Sequence, residues 1–155
     1  MIYRFKASIS DQKGFEREYE LRGNHTLYDF HEHIQNDLGF APDQMVTFFS
    51  TDLTWNPRSE YGLFDSGNGS MDQREIATLV KDEKLCLLYV FDIFHDRALR
   101  IEFLTTDDEN PRKSYPRTAV EKGLPPNQFS DKLSIDGIVE EEEQDAALSD
   151  DFDEV

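Results

Sequence analysis

One amphipathic segment organises this chain, and it reads Thr26-Leu-Tyr-Asp-Phe-His-Glu-His-Ile-Gln-Asn-Asp-Leu-Gly39. Thr26 followed by Asp29 places a side-chain acceptor and a carboxylate where the free amides and the dipole of a helix N-terminus favour them. The apolar residues recur at helical spacing and form one stripe: Leu27, Phe30, Ile34 and Leu38. Gly39 readily adopts the left-handed conformation that ends a helix. The segment predicts a helix over Thr26–Leu38 whose apolar face packs on a sheet.

Strand-like sequence lies on both sides of this helix. Residues 2–9 and 15–21 alternate apolar and polar side chains around a turn, which predicts a hairpin with its glutamates facing solvent. Residues 45–49, 85–91 and 99–103 predict further strands, and residues 71–80 predict a short second helix after a capping box at Ser70. The predicted fold is α+β, a mainly antiparallel or mixed sheet with one main helix packed on one face and a second short helix. The order strand, strand, helix, strand resembles a β-grasp arrangement.

Composition separates a folded part from an acidic end. The 155 residues are 37% hydrophobic, which is enough for one core. The net charge is −17, and from Asp136 onward there are 10 acidic residues and no Lys or Arg. We expect a domain over residues 1–132, with a core at 1–105 and an irregular extension at 106–132, followed by a disordered acidic tail over 133–155.

Charge and cysteine content narrow the function classes. A strongly acidic chain is a poor direct binder of nucleic acid or anionic membranes, because Lys and Arg hold phosphates. Cys86 is the single cysteine, which suits a reducing cytoplasm, and the longest apolar run, residues 85–91, is too short to cross a bilayer. We expect a cytoplasmic protein without a cofactor, while the oligomeric state stays open.

Catalytic and metal-binding patterns are weak. His31 and His33 are about 200° apart around a helix and cannot chelate one metal together. Residues 66–70 are glycine-rich and precede a helix, but they lack the Lys of a phosphate-binding loop. Cys86 has only Leu neighbours and no adjacent base, so we expect it in the core. The sequence therefore predicts no catalytic, cofactor-binding or metal-ligating residue.

Two groups of residues outside the acidic end could carry function. A polar loop follows the most buried predicted strand, and it consists of Asp92, His95, Asp96 and Arg97. It could bind a small polar ligand or an acidic peptide, or it could be a surface loop with an ion pair. An aromatic group, Trp55, Arg58, Tyr61 and Phe64, could form an exposed patch for a protein partner or could cap the core.

The acidic end supplies a third group. Its apolar residues are spaced among carboxylates, and the contacts expected of it are Leu148, Asp150, Asp151 and Phe152. Such an acidic and hydrophobic pattern could dock on a basic groove of a partner. A purely solubilising tail is the alternative.

Several motifs resemble those of the plasmid pRiA ORF-three-like family, also described as passenger proteins of insertion elements. They are Tyr3-x-Phe5, Asn24-x-Thr26-Leu27-x-Asp29-x-His31-x-x-Ile34-Gln35, Phe48-Phe49, Tyr89-x-Phe91-Asp92 and Gly123-x-Pro125-Pro126. The resemblance spans roughly residues 1–130 and implies a compact α+β domain without an established activity. The run Tyr89–Arg97 departs from the family pattern because it lacks a Gly and a Trp found in many members.

The sequence leaves three functions open. The first is a non-enzymatic module that binds a protein through an acidic surface and tail, which would suit a basic partner. A link to mobile elements follows only from the resemblance. The second is a small-ligand-binding domain or enzyme that uses the loop at Asp92, His95 and Asp96. The third is an acidic regulator of a nucleic-acid-binding protein.

Overall fold

Helix α1 spans Leu27–Leu38 and begins and ends as its sequence predicts. The Thr26 side chain accepts a hydrogen bond from the Asp29 amide at 3.2 Å, and the Asp29 carboxylate accepts one from the Thr26 amide at 2.8 Å. Gly39 ends the helix with φ at 70°, in the left-handed region. The predicted apolar stripe is buried, and His31 lies beside it.

The computed structural model describes residues 1–81 and 84–129. The strands in this part of the chain are β1 (Ile2–Ser8), β2 (Glu16–Arg22), β3 (Thr47–Thr51), β4 (Pro57–Gly62), β5 (Cys86–Asp92), β6 (Arg97–Asp107) and β7 (Arg117–Lys122). They form one sheet in the order β4-β3-β5-β6-β1-β2-β7. A four-residue helix, α2 (Ile76–Leu79), and 3₁₀ turns at Met71–Gln73 and Ile93–His95 complete the described elements.

All strand pairs in the described residues are antiparallel. Strand β1 lies between β2 and β6 and runs antiparallel to both. The sheet is therefore antiparallel rather than mixed. The β-grasp interpretation is wrong, because that arrangement pairs the first strand in parallel with a later one.

Helix α1 covers one face of this sheet. The Phe30 ring lies 5.3 Å from that of Phe5, 5.8 Å from that of Tyr19 and 5.8 Å from that of Phe48, measured between ring centroids. Full burial of such a side chain stabilises the fold by about 1.5–3 kcal/mol. The side chains that alternate with these strand residues point to the opposite face, which no described helix covers.

The predicted helix over residues 71–80 is broken at Arg74 and Glu75. The Arg74 carbonyl accepts a hydrogen bond from the Leu27 amide at 3.0 Å, and the Ile76 amide donates to the His25 carbonyl at 2.8 Å. This short antiparallel bridge to the N-terminal side of α1 takes backbone groups that a continuous helix would use. A tertiary contact thus overrides the local helical pattern.

Two strands lie outside the strands that the sequence predicts, and one of them falls in the predicted irregular extension. Strand β4 begins at Pro57, and β7 lies within residues 106–132. Both are edge strands of the described sheet, paired with one neighbour each. Edge strands are half exposed and carry Pro and charged residues, so the apolar alternation that reveals buried strands is weak in them.

The predicted acidic tail over 133–155 lies outside the described residues. None of the helices in residues 1–81 and 84–129 is long and apolar enough to span a membrane.

Candidate binding cleft

The predicted polar loop brings three of its four residues together. Strand β5 ends at Asp92, whose carboxylate accepts hydrogen bonds from His95 Nδ1 at 3.0 Å and from an Arg97 guanidinium nitrogen at 3.3 Å. The Arg97 guanidinium also lies 4.9 Å from the centroid of the Phe91 ring. Asp96 is exposed and lies in a different pocket, on the sheet face opposite α1.

A cleft of about 310 Å³ opens beside this loop. Residues 43–45, 91–94 and 128–129 line it, so three distant parts of the chain meet there. Its rim carries large apolar side chains in water: Phe94 is 95% exposed, Met45 64%, Phe129 53% and Ile93 45%. Exposed apolar residues gathered around one concavity are typical of a binding site.

Gln128 holds the last described residues against the body of the domain. Its side-chain oxygen accepts a hydrogen bond from the Ala41 amide at 2.6 Å, and its side-chain nitrogen donates to the Ala41 carbonyl at 3.3 Å. Arg97 donates to the Gln128 carbonyl at 3.4 Å. These hydrogen bonds fix Gln128 between Ala41 and Arg97. They thereby place the next residue, Phe129, at the rim of the cleft.

The charged groups in the lining of the cleft are the carboxylates of Asp43 and Asp92, and its other polar side chains are Gln44 and Gln128. The Asp92 carboxylate is shared with Arg97, whereas the exposed Asp43 carboxylate accepts only a hydrogen bond from Gln44, at 3.1 Å, in the described residues. The described lining contains no Ser, Thr or Cys side chain that could act as a nucleophile, and His95 is not part of it. The arrangement is suited to holding an apolar group next to a positive charge.

The predicted aromatic patch does not form one surface. Tyr61 is buried, with the Arg74 guanidinium 5.3 Å from its ring centroid. Arg58 and Phe64 are exposed, whereas Trp55 is half-buried against Arg100. Alternation along β4 places Tyr61 on the α1 side of the sheet, where it belongs to the core, so Tyr61 is not part of a surface shared with Arg58 and Phe64.

The histidines of α1 have separate structural partners. His31 is buried, with Nδ1 2.8 Å from the Tyr89 hydroxyl, and His33 is half-buried, with Nε2 2.9 Å from the Thr118 hydroxyl. Burial lowers the pKa of both imidazoles below its usual value. Within residues 1–81 and 84–129, no three His, Cys, Asp or Glu side chains are grouped so that they could hold a metal ion.

The glycine-rich loop and Cys86 have structural surroundings. The Asp65 carboxylate accepts hydrogen bonds from the Gly67 and Gly69 amides at 2.8 and 3.0 Å, so those amides are already occupied by an anionic group. Cys86 is buried, and burial raises the pKa of its thiol.

Sequence reasoning missed a buried polar cluster between α1, β2 and β7. The Asp37 carboxylate accepts hydrogen bonds from Arg17, Tyr19 and Thr118 at 3.2, 2.9 and 2.9 Å. Arg17 is 1% exposed and also donates to three backbone carbonyls. Its place between Phe15 and Tyr19 in the strand alternation was the available signal. Glu20 was predicted to face solvent, but it is buried between Arg4 and Arg117.

The fold and cleft define a small α+β protein with an antiparallel sheet, one main helix and an apolar, acidic surface cleft. The chain belongs to the plasmid pRiA4b ORF-3-like protein family, whose model matches residues 1–151. The resemblance inferred from the motifs is thereby confirmed, and the match extends beyond residue 132.

Among solved structures, the chain is similar to a protein of unknown function, MM3350, from Methanosarcina mazei Go1. The TM-score is 0.69 and the sequence identity 16%, over 81% of this chain and 71% of the other. At this identity the similarity concerns the fold alone. A search of curated proteins finds no match.

Proposed function

We propose that this protein is a non-enzymatic interaction module that binds a short apolar and basic segment of a partner protein in the cleft. The observation that carries the proposal is the group of exposed apolar side chains around one concavity, with Phe94 95% exposed at its rim. A side chain this exposed contributes little to folding. Covering it with a partner removes apolar surface from water and favours association.

Charge supports a basic partner. The cleft presents the exposed carboxylate of Asp43, whereas that of Asp92 is paired with Arg97, and the chain as a whole has a net charge of −17. Opposite charge accelerates encounter and selects among partners, while the apolar contacts supply most of the affinity. Regulation of a nucleic-acid-binding protein stays a prediction that fits a basic partner, since nucleic-acid-binding proteins are commonly basic. A link to mobile elements also stays a prediction.

A peptide-binding measurement tests the proposal. The probe is a fluorescently labelled eight-residue peptide with two Leu flanked by Lys residues, and the comparison peptide carries Glu in place of Lys. Phe94→Ala is expected to weaken binding of the Lys peptide about ten-fold or more, because the buried area of one Phe is lost. Phe64→Ala is the matched control, since Phe64 is 80% exposed and lies outside the cleft.

The same acidic residues at the C-terminal end are present in both variants, so a general attraction for Lys affects both equally. Equal affinity of wild type and Phe94→Ala for the Lys peptide would overturn the proposal. Equal binding of the Glu peptide would overturn the part that concerns charge.

A further inference from the structure

A second pocket, of about 170 Å³, lies on the sheet face opposite α1. Leu88 pairs with Arg100 and Val90 pairs with Ala98 across β5 and β6, and all four side chains line the pocket. They alternate with Leu87, Tyr89 and Leu99, which belong to the core under α1. The pocket therefore combines the side chains of Leu88, Val90 and Ala98 with charged groups from Arg100 and Asp96, and it is separate from the cleft.

Two residues with unusual backbone conformation frame this pocket. Trp55 has φ at 68° and Asp96 has φ at 54°, and in the described residues they are the two non-glycine positions with positive φ. Both line the pocket. Residues other than Gly rarely adopt a positive φ unless the surrounding structure enforces it, and residues held in this way concentrate at functional sites.

The turn before β4 enforces the conformation of Trp55. The Asp52 carboxylate accepts hydrogen bonds from the Thr54 amide at 2.8 Å and from the Asn56 amide at 3.0 Å, on either side of Trp55. The Arg100 guanidinium lies 5.3 Å from the centroid of the Trp55 ring. The turn thus holds an aromatic wall beside a positive charge.

Among residues 1–81 and 84–129, the charged side-chain groups of the pocket have no polar partner. In the part of the chain that the structure describes, the Arg100 guanidinium has its contact with the Trp55 ring but no hydrogen bond or ion pair. The Asp96 carboxylate likewise has no hydrogen bond or ion pair there. A guanidinium stacked on a ring keeps its in-plane N–H donors free for a carboxylate, which it can bind with two parallel hydrogen bonds.

We propose that this pocket binds a small organic monocarboxylate with an apolar body. The carboxylate pairs with Arg100, and the apolar body lies on Leu88, Val90 and Ala98 beside Trp55. Asp96 repels a second negative charge and thereby disfavours dicarboxylates. This site is independent of the peptide cleft, because it lies on the other face of the sheet and shares no lining residue with it.

The chain provides its own reporter for this site, because Trp55 is its single tryptophan. The probe is 3-phenylpropionate, titrated into the full chain with Trp fluorescence excited at long wavelength and with calorimetry in parallel. We expect a saturable signal. 3-Phenylpropylamine, of the same shape and opposite charge, is expected to bind at least ten-fold more weakly, and so is the dianion succinate.

Arg100→Gln is expected to weaken 3-phenylpropionate at least ten-fold, because a charge-assisted pair is lost. Arg58→Gln is the matched control, since Arg58 is exposed on β4 and does not line the pocket. Arg100→Lys retains the charge without the planar fork and is expected to give an intermediate affinity. Asp96→Asn is expected to raise the affinity for succinate, and Asn tolerates a positive φ.

Absence of saturable binding to the wild-type chain would overturn the proposal. An unchanged affinity in a folded Arg100→Gln or Arg100→Lys variant would do the same. If Arg100→Gln does not fold, the test is the ranking of the three probes on the wild-type chain, together with the affinity of Asp96→Asn for succinate. Equal affinity of the wild-type chain for 3-phenylpropionate and 3-phenylpropylamine would refute the proposal.

Discussion

The carboxylate of Asp37 joins α1 to β2 and β7, and Asp37→Ala tests how much this buried cluster stabilises the fold. Breaking a buried ion pair leaves a charge without its partner and costs about 3–5 kcal/mol of the free energy of unfolding. Arg17 is 1% exposed, but its guanidinium also donates to three backbone carbonyls that remain in the variant. We therefore expect the lower end, about 3 kcal/mol. With a urea slope of about 2 kcal/mol per molar, the midpoint falls by about 1.5 M.

Urea unfolding followed by circular dichroism measures this shift. Glu32→Gln is the matched control, because Glu32 is an exposed acidic residue on the same helix. It is expected to change the stability by no more than about 0.5 kcal/mol. Asp37→Asn keeps an acceptor oxygen but not the charge, so its loss of stability should lie between those of Glu32→Gln and Asp37→Ala. The reasoning would be refuted if Asp37→Ala and Glu32→Gln unfolded at the same urea concentration.

Two further predictions concern the stability of the fold at acidic pH and the cost of replacing two glycines. Burial lowers the folded-state pKa of His25, His31 and His33, so below the unfolded value of about 6.5 the folded chain binds fewer protons than the unfolded one. The urea midpoint should therefore fall between pH 7.5 and pH 5.5, and an unchanged midpoint would contradict this. Gly39 and Gly123 have φ at 70° and 76°, but only at Gly123 would a Cβ overlap the Gly14 backbone. Gly123→Ala should cost about 1–3 kcal/mol more than Gly39→Ala in thermal or urea unfolding, and equal costs would contradict this.

Helix α1 was predictable because its determinants are local. Thr26, Asp29 and Gly39 act through hydrogen bonds and backbone conformation within a few residues of each helix end. The buried stripe follows from helical spacing alone. The central strands were also predictable to within a few residues, since apolar alternation reveals them.

The edges of the sheet and the charged residues beneath its surface were not predictable in this way. Strand β7 carries little apolar sequence, and its pairing with β2 depends on backbone hydrogen bonds between residues about 100 positions apart. Arg17 and Glu20 are buried because partners from other elements satisfy their charges. The alternation of polar and apolar residues assigns charged residues to solvent, because it does not record which distant residues could pair with them.

The candidate site was predictable only in part. The polar loop after β5 was identified, and Asp92, His95 and Arg97 do come together. For the aromatic group the sequence left an exposed patch and a cap on the core open, and only the structure places Tyr61 in the core. The apolar rim of the cleft had no sequence signal, because Met45, Phe94 and Phe129 come from three distant parts of the chain.

By itself, the sequence determined the main helix, its ends, its buried face and the central strands, because these depend on interactions among near neighbours and on periodicity. It also carried the motifs that identify the family. Only the tertiary structure decided the strand order, the buried ion pairs and the two pockets. Each of these is formed by residues far apart in the chain, whose meeting depends on long-range strand pairing and packing that no local pattern records.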